Sequence, residues 1–183
     1  MFRTTSAKFE QDIFPPFREM MKSISATEAI VTFDGSGDSG WASLYGVKIK
    51  NKIWTFSPDP SPETKTLIEP TIEGMFESEE WVTGVGWVRG KKLTIRTLTE
   101  VCGMIFNHYM GRYGGWENNN GANGEVIITF DKVVTKYQDK LRYTGRSVTR
   151  RPKVTSRAEV REYEVLPSAM TMLTDKLNEE KGQ

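Results

Sequence analysis

One amphipathic segment, residues 97–112, stands out in a chain otherwise divided into short β-rich runs by glycine and proline. Apolar residues recur there at helical spacing and share one face: Leu98, Val101, Cys102, Ile105 and Tyr109. Thr97 and Glu100 have the spacing of a capping box, and Gly114-Gly115 follow as a stop signal. We therefore predict an α+β fold in which this long helix packs on a largely antiparallel sheet, with further helices at both termini.

The remaining segments are assigned from apolar spacing and turn residues. Residues 6–24 have helical spacing, which Pro15-Pro16 should end or kink. Residues 63–80 are predicted to form helical pieces broken by Pro70 and Gly74. Strands are expected at 28–33, 41–49, 52–56, 81–95, 125–130, 133–143 and 154–165, and a short helix after Pro167. The predicted core contains Phe33, Val101, Ile105, Trp116, Ile127 and Phe130.

Length and composition limit the class of protein. The 183 residues, 37% of them hydrophobic and 27% charged, suit one domain spanning 1–183 and exclude a disordered or collagen-like chain. No apolar run is long enough to cross a bilayer, and no apolar signal core follows Met1. The single cysteine cannot form an internal disulfide, which is typical of a reducing compartment. These features predict a soluble, cytoplasmic protein with no membrane partner.

Charge is unevenly distributed along the chain, although the net charge is only +1. Residues 57–80 are an acidic insert with seven acids against one base, and residues 132–161 have ten bases against two acids. We interpret 132–161 as a basic strand or hairpin that faces a partner, with two balancing solvated faces as the plainer alternative. The predicted partner-binding residues are Lys136, Lys140, Arg142, Arg146, Arg150 and Arg151.

Two glycine-rich loops contain the only other chemistry that the sequence suggests, FDGSGDSG (Phe33–Gly40) and GGWENNNGANGE (Gly114–Glu125). Their candidate site residues are Asp34, Asp38, Trp116, Glu117 and Asn118. A turn role is the default, because Asp, Asn and Gly satisfy tight turns. We also expect the two loops to lie side by side at one edge of the sheet, because both follow regular elements. In that arrangement Asp34, Asp38, Glu117 and Glu125 could bind Mg²⁺ or Ca²⁺. The spacing does not fit a calcium loop or a P-loop, so no metal and no cofactor is predicted.

The isolated histidine and cysteine do not suggest catalysis. His108 lies near the end of the predicted helix, where it suits the helix dipole, although a general base remains an alternative. Cys102 lies on the apolar face and is interpreted as a buried small residue rather than a nucleophile.

Together, the two loops resemble motifs of an uncharacterised domain family found in bacteria, phages and plasmids. The resemblance covers residues 28–44 and 98–139, with an FDGSGDSG turn after a strand and a GGWENN loop after a helix. It implies no reaction, because the family has none assigned. It does imply a mobile-element protein that acts inside a bacterial cytoplasm.

Three classes of function remain open at this point, and the most favoured is a non-enzymatic protein-binding module. In that reading, a phage- or mobile-element-encoded modulator docks on a host complex, using some of the five tryptophans as anchors. A nucleic-acid-binding protein using the 132–161 segment is the second class. A metal-dependent hydrolase using Asp34, Asp38, Glu117 and Glu125 is the third, and a virion structural component is a variant of the first. The oligomeric state and the identity of the partner are not predicted.

Overall fold

Antiparallel strand pairing dominates a computed structural model of the chain, which describes residues 2–36, 39–56, 65–111, 121–139, 142–144, 153–155 and 158–165. The helices are α1 (Phe2–Ser23) and α2 (Leu98–Met110). The strands are β1 (Glu28–Ser36), β2 (Ser39–Ile49), β3 (Lys52–Thr55), β4 (Lys65–Thr66), β5 (Thr71–Val82), β6 (Gly86–Thr97), β7 (Ala122–Ile128), β8 (Lys132–Asp139), β9 (Arg142–Thr144), β10 (Lys153–Thr155) and β11 (Ala158–Glu164).

The main sheet has seven strands in the order β11-β8-β7-β1-β2-β3-β4. The first six pair antiparallel, and the short β4 joins β3 in parallel. The strand β1 is central, because it pairs with β2 on one side and β7 on the other. Two further pairs lie outside this sheet, β5 with β6 and β9 with β10.

The core lies between one face of the main sheet and the two helices. Alternate residues of β1 point inward, and Ala29, Val31 and Phe33 are buried. The Phe33 ring lies 5.5 Å from the ring of Phe106 in α2, measured between centroids. Both helices add buried side chains: Ile13, Phe14, Phe17, Met20 and Met21 from α1, and Leu98, Val101, Cys102, Ile105, Phe106, Tyr109 and Met110 from α2.

The predicted α+β class is wrong. The chain is mostly β, with a six-strand antiparallel sheet and a separate second sheet rather than a sheet covered by one long helix. The segment 97–112, predicted as that long helix, contains the 13-residue α2. Both α2 and the longer α1 contribute side chains to the hydrophobic core. The helix predicted after Pro167 lies outside the described residues.

The first helix does not end at Pro15 and Pro16, as one form of the prediction had it, since α1 continues through both residues. A proline inside a helix costs about 3 kcal/mol. Burial of a large apolar side chain returns about 1.5–3 kcal/mol, and the apolar face of α1 continues on both sides of the prolines, with Phe14 and Phe17 fully buried. Packing therefore outweighs the local penalty.

The segment 63–80 was predicted to be helical, and its described part instead forms strands. Residues 71–82 are β5, which pairs along its whole length with β6. Phe76 is the residue of β5 that reaches the core, and it is 3% exposed. The prediction failed because the acidic residues hid the period-two alternation around Phe76. Residues 71–80 of the acidic insert thus belong to one strand of a hairpin.

The predicted core is partly correct. Phe33, Val101 and Ile105 are buried, and Phe130 packs against the core while remaining partly exposed. Ile127 was placed wrongly, because it lies between the inward-facing Val126 and Ile128 and therefore points to the opposite face of β7. Trp116 lies outside the described residues.

Candidate functional site

The described parts of the two glycine-rich motifs meet at one end of the main sheet. Asp34, near the end of β1, has Trp41 as its Cα partner on one side and Asn123 on the other. The described flank of FDGSGDSG therefore lies directly beside the described end of GGWENNNGANGE. Asp38, Trp116, Glu117 and Asn118, which complete the predicted loop site, lie outside the described residues.

A shallow groove of about 480 Å³ crosses the solvent-facing side of the sheet next to this point. Thr32, Asn123 and Gln138 line it with polar groups. Lys136 and Glu125 also line it, and the Nζ atom of Lys136 lies 2.5 Å from Oε1 of Glu125. The ion pair is half exposed, so solvent screens it and it contributes little to stability. The groove offers hydrogen-bonding groups, and the two carboxylates that line it, Glu125 and Glu159, are paired with Lys136 and Arg161.

The metal hypothesis receives no support from the described part of the chain. Among those residues, no group of three or more His, Cys, Asp or Glu side chains is placed to hold a metal ion. Glu125 is engaged with Lys136 across neighbouring strands. Asp38 and Glu117, which the hypothesis also requires, lie outside the described residues.

The described strands of the basic segment 132–161 form antiparallel pairs, β8 with β11 and β9 with β10. Each of its described basic side chains lies beside a carboxylate: Lys132 beside Glu162, Lys136 beside Glu125, and Arg161 beside Glu159. Of the other predicted binding residues, Arg142 begins β9. Lys140, Arg146, Arg150 and Arg151 lie outside the described residues. In the described part of this segment, neighbouring carboxylates therefore offset the positive charge that the sequence alone suggests.

A different surface, absent from the sequence predictions, is the most unusual feature of the molecule. The strands β5 and β6 form a hairpin of two 12-residue strands that, among the described strands, pair only with each other. We call this hairpin, residues 71–97, the arm. An isolated two-stranded hairpin is marginally stable in water, so the arm depends on anchoring at its base.

Contacts with both helices anchor the base of the arm. The Phe76 side chain is buried with the core residues. The Nζ atom of Lys91 lies 2.7 Å from Oδ1 of Asp12 in α1. At the lower end, the N–H of Leu98 donates to the carbonyl of Pro70 over 3.1 Å, which closes the base where β6 runs into α2. The direction of the arm is thus fixed by α1 and α2.

The end of the arm, residues 81–88, is a turn with apolar side chains, which we call the tip. Trp81 and Trp87 are direct Cα partners, and their rings meet edge to face with centroids 5.7 Å apart. The Val85 N–H donates to the Val82 carbonyl over 3.0 Å. Gly84 is the third residue of this turn and has φ +84°, a conformation that favours glycine. The tip is therefore an ordered turn.

Exposure of the tip is far greater than is usual for such residues. Val85 is 74% exposed, Trp87 68% and Trp81 60%. Further along the arm, Met75 and Leu93 are direct partners, and both are more than half exposed. The pairs Glu79–Arg89 and Glu77–Lys91 separate Met75 and Leu93 from the tip. The exposed apolar cluster at the tip itself is of the kind that marks an interaction site or an aggregation liability. Tryptophan is also the residue type most enriched among interface hot spots.

The sequence did contain a signal for the tip. The segment Trp81-Val82-Thr83-Gly84-Val85-Gly86-Trp87 places apolar residues on both sides of a glycine turn, a typical hairpin pattern. Assigning residues 63–80 to helix removed the first strand of the pair and hid that pattern. Trp81 and Trp87 were therefore not among the predicted site residues.

The surroundings of Cys102 and His108 favour a structural role for both side chains. Cys102 is fully buried, as predicted, and burial raises the pKa of its thiol far above the ordinary value. The thiolate, which is the nucleophilic form, is therefore strongly disfavoured. The His108 ring stacks on Phe9 of α1, with centroids 4.0 Å apart.

A comparison of this chain with protein-family models, curated proteins and solved structures finds no match. Within the described residues, neither helix combines the length and the apolar character needed to cross a membrane.

Proposed function

We propose that this chain is a non-enzymatic protein-binding module and that the tip of the arm is its main contact with a partner protein. The observation that carries the proposal is the exposure of Trp81, Val85 and Trp87 at the end of an anchored hairpin. Burying large apolar side chains of this kind in a partner's pocket supplies much of the free energy of a typical interface.

The fixed geometry of the tip adds to the support. Binding costs less when the contacting residues are already ordered, because less conformational entropy is lost. The Trp81–Trp87 contact and the turn at Gly84 order the tip before any partner arrives. Given the family resemblance of the two loops, the proposed partner is a host or phage protein in a bacterial cytoplasm.

The nucleic-acid alternative has weaker support. Nucleic-acid binding needs cations that are available to phosphates. Lys132, Lys136 and Arg161, the basic side chains described within 132–161, each lie beside an acidic group. The tip itself, residues 81–88, contains no charged residue.

Site-specific photo-crosslinking in cells tests the proposal. A photoreactive residue at position 85 should form a discrete adduct with another protein, which mass spectrometry identifies. The same residue at position 68 is the matched control, because Ile68 is 89% exposed but lies outside the arm. Adding Trp81→Ser and Trp87→Ser should abolish the adduct, since losing a hot-spot side chain weakens binding by roughly 30-fold or more.

Two results would contradict the proposal. Equal adducts from positions 68 and 85 would show that exposure alone determines the crosslink. An adduct at position 85 that contains only a second copy of this chain would replace a partner protein with self-association. Circular dichroism of the Trp81→Ser/Trp87→Ser variant provides the check that the fold is intact.

A further inference from the structure

The two strands of the arm carry opposite charges. The acidic residues of β5 are Glu73, Glu77, Glu79 and Glu80, and β5 contains no basic residue. The basic residues of β6 are Arg89, Lys91, Lys92 and Arg96, and β6 contains no acidic residue. Between the base and the tip, the arm therefore has one acidic edge (residues 73–80) and one basic edge (residues 89–96).

Neither edge of the arm has a strand partner in the described part of the chain. The strands β5 and β6 form a two-stranded sheet, so each has its outward N–H and C=O groups unpaired by another strand. Such edges are templates for another strand, and proteins usually protect them by shortening, bulging or covering them. Here both edges continue for 12 residues, with a regular one-to-one register between the strands.

We propose that a second copy of this chain occupies each edge, so that β6 of one arm pairs with β5 of the next in a head-to-tail assembly. When two arms lie side by side and point the same way, β6 of the first runs antiparallel to β5 of the second. The pairing then repeats the β5–β6 pattern of the arm itself and extends it into a continuous antiparallel sheet.

Charge selects this arrangement over a two-fold dimer. Within one arm, Arg89 is opposite Glu79, with Arg89 Nε 2.5 Å from Glu79 Oε1. Without axial stagger, Arg89 also faces Glu79 of the neighbouring copy. A two-fold interface would instead pair β5 with β5 or β6 with β6 and bring like charges together, which is unfavourable. The complementary edges therefore favour a heterologous contact, which forms rings or filaments rather than closed dimers.

The apolar residues of the arm support the same arrangement. Met75, Leu93 and Ile95 are more than half exposed on one arm. In the extended sheet, Leu93 of one copy lies opposite Met75 of the next, where cross-strand side chains cover each other. The pairing thus buries exposed apolar surface and satisfies backbone groups in one contact. Because this pairing also places neighbouring tips side by side, an adduct between copies at position 85 is expected alongside the adduct with a different protein, and only the latter reports partner binding by the tip.

Sedimentation velocity of the purified full chain over a range of concentrations tests the assembly. Two charge-reversed variants are informative, Glu79→Lys/Glu80→Lys on β5 and Arg89→Glu/Lys92→Glu on β6. Both leave Lys91 and its contact with Asp12 intact. We expect oligomers larger than a dimer for the wild type and dissociation constants about tenfold higher or more for each variant, because each variant brings like charges together where position 79 of one copy faces position 89 of the next.

A mixture of the two variants is the decisive measurement. In the mixture, position 79 of one variant can face position 89 of the other with the opposite charge. Mixing should therefore restore assemblies larger than a dimer. The quadruple variant that combines all four reversals should assemble like the wild type, since its edges are again complementary. Its assembly also controls for folding, because it contains every substitution.

The proposal is overturned by a wild type that stays monomeric at all concentrations. It is also overturned by a wild-type assembly that stops at a dimer, or by reversed variants that assemble as well as the wild type. Any of these outcomes leaves the tip-mediated contact untouched, since the tip is tested by crosslinking to a different protein.

Discussion

At the residue scale, Gly124 of β7 shows how closely the main sheet and its aromatic side chains are packed. Gly124 pairs with Phe33 on one side and with Tyr137 on the other, and the two rings lie 6.5 Å apart between centroids. A Cβ atom at this position would overlap the carbonyl oxygen of Lys136 and come within 2.9 Å of Phe33 Cζ. Only glycine leaves room for the rings to lie over the strand.

We predict that Gly124→Ala destabilises the protein by about 1–3 kcal/mol or more, because an overpacked site forces side chains and backbone to shift. The matched control is Gly90→Ala in β6, where an added Cβ meets nothing within 4 Å and the cost should be within about 0.5 kcal/mol. Urea denaturation measures both changes. Similar free energies of unfolding for the two variants would show that the close packing at Gly124 is unimportant.

At the element scale, α2 begins at a complete capping box. The Glu100 N–H donates to Thr97 Oγ1, and the Thr97 N–H donates to Glu100 Oε2 over 2.9 Å. The second hydrogen bond, with help from Arg96, holds the pKa of Glu100 below its ordinary value. This contribution to stability is therefore present above the ordinary carboxyl pKa, and it is lost as the pH falls through the lowered value.

We predict that Thr97→Ala lowers the free energy of unfolding by about 1 kcal/mol, because the N–H of Glu100 loses its acceptor. Thr99→Ala is the control on the same helical turn, since the Thr99 backbone N–H that donates to Glu69 is kept. It should change stability by less than about 0.5 kcal/mol. Urea denaturation of the two variants is the measurement, and equal losses would argue against a specific capping role.

The same scale shows what local sequence patterns can and cannot determine. The capping box at Thr97 and Glu100 was readable, because it depends on residues three apart. The structures of β5 and α1 could not be predicted from local patterns, because both depend on distant residues. The strand β5 forms by pairing with β6, and α1 continues through Pro15 and Pro16 because its apolar face packs into the core around Phe14. The tip was missed as a consequence, since a hairpin cannot be recognised when one of its strands is assigned to a helix.

The candidate site follows a similar division. The sequence indicated that the two glycine-rich motifs are neighbours, and the pairing of Asp34 with Asn123 places their described flanks side by side. It did not indicate that Lys136 of the basic segment would face Glu125 of the second motif, because that contact depends on the register of β7 with β8. The local excess of basic residues in the sequence is therefore larger than the net charge of this part of the folded surface, where Lys136 is paired with Glu125.

At the scale of the whole molecule, the chain combines a packed body with an arm held by few contacts. The core lies between the main sheet and the two helices, and Phe76 is the only arm residue among its fully buried apolar members in the described chain. Local opening needs less free energy where few buried apolar contacts must be broken. The body and the arm should therefore open with different free energies.

We predict that this difference appears in amide hydrogen exchange of the dilute protein. The amides of β1 and β7, each paired on both sides, should exchange slowly and only through large-scale unfolding. The amides of residues 78–90, beyond the Lys91–Asp12 contact, should exchange much faster, because this part of the arm is exposed and pairs on one side only. Exchange followed by mass spectrometry resolves the two regions. Equal protection of both regions in the monomer would mean that the arm is as firmly held as the body, and the marginal stability inferred for an isolated hairpin would not apply to it.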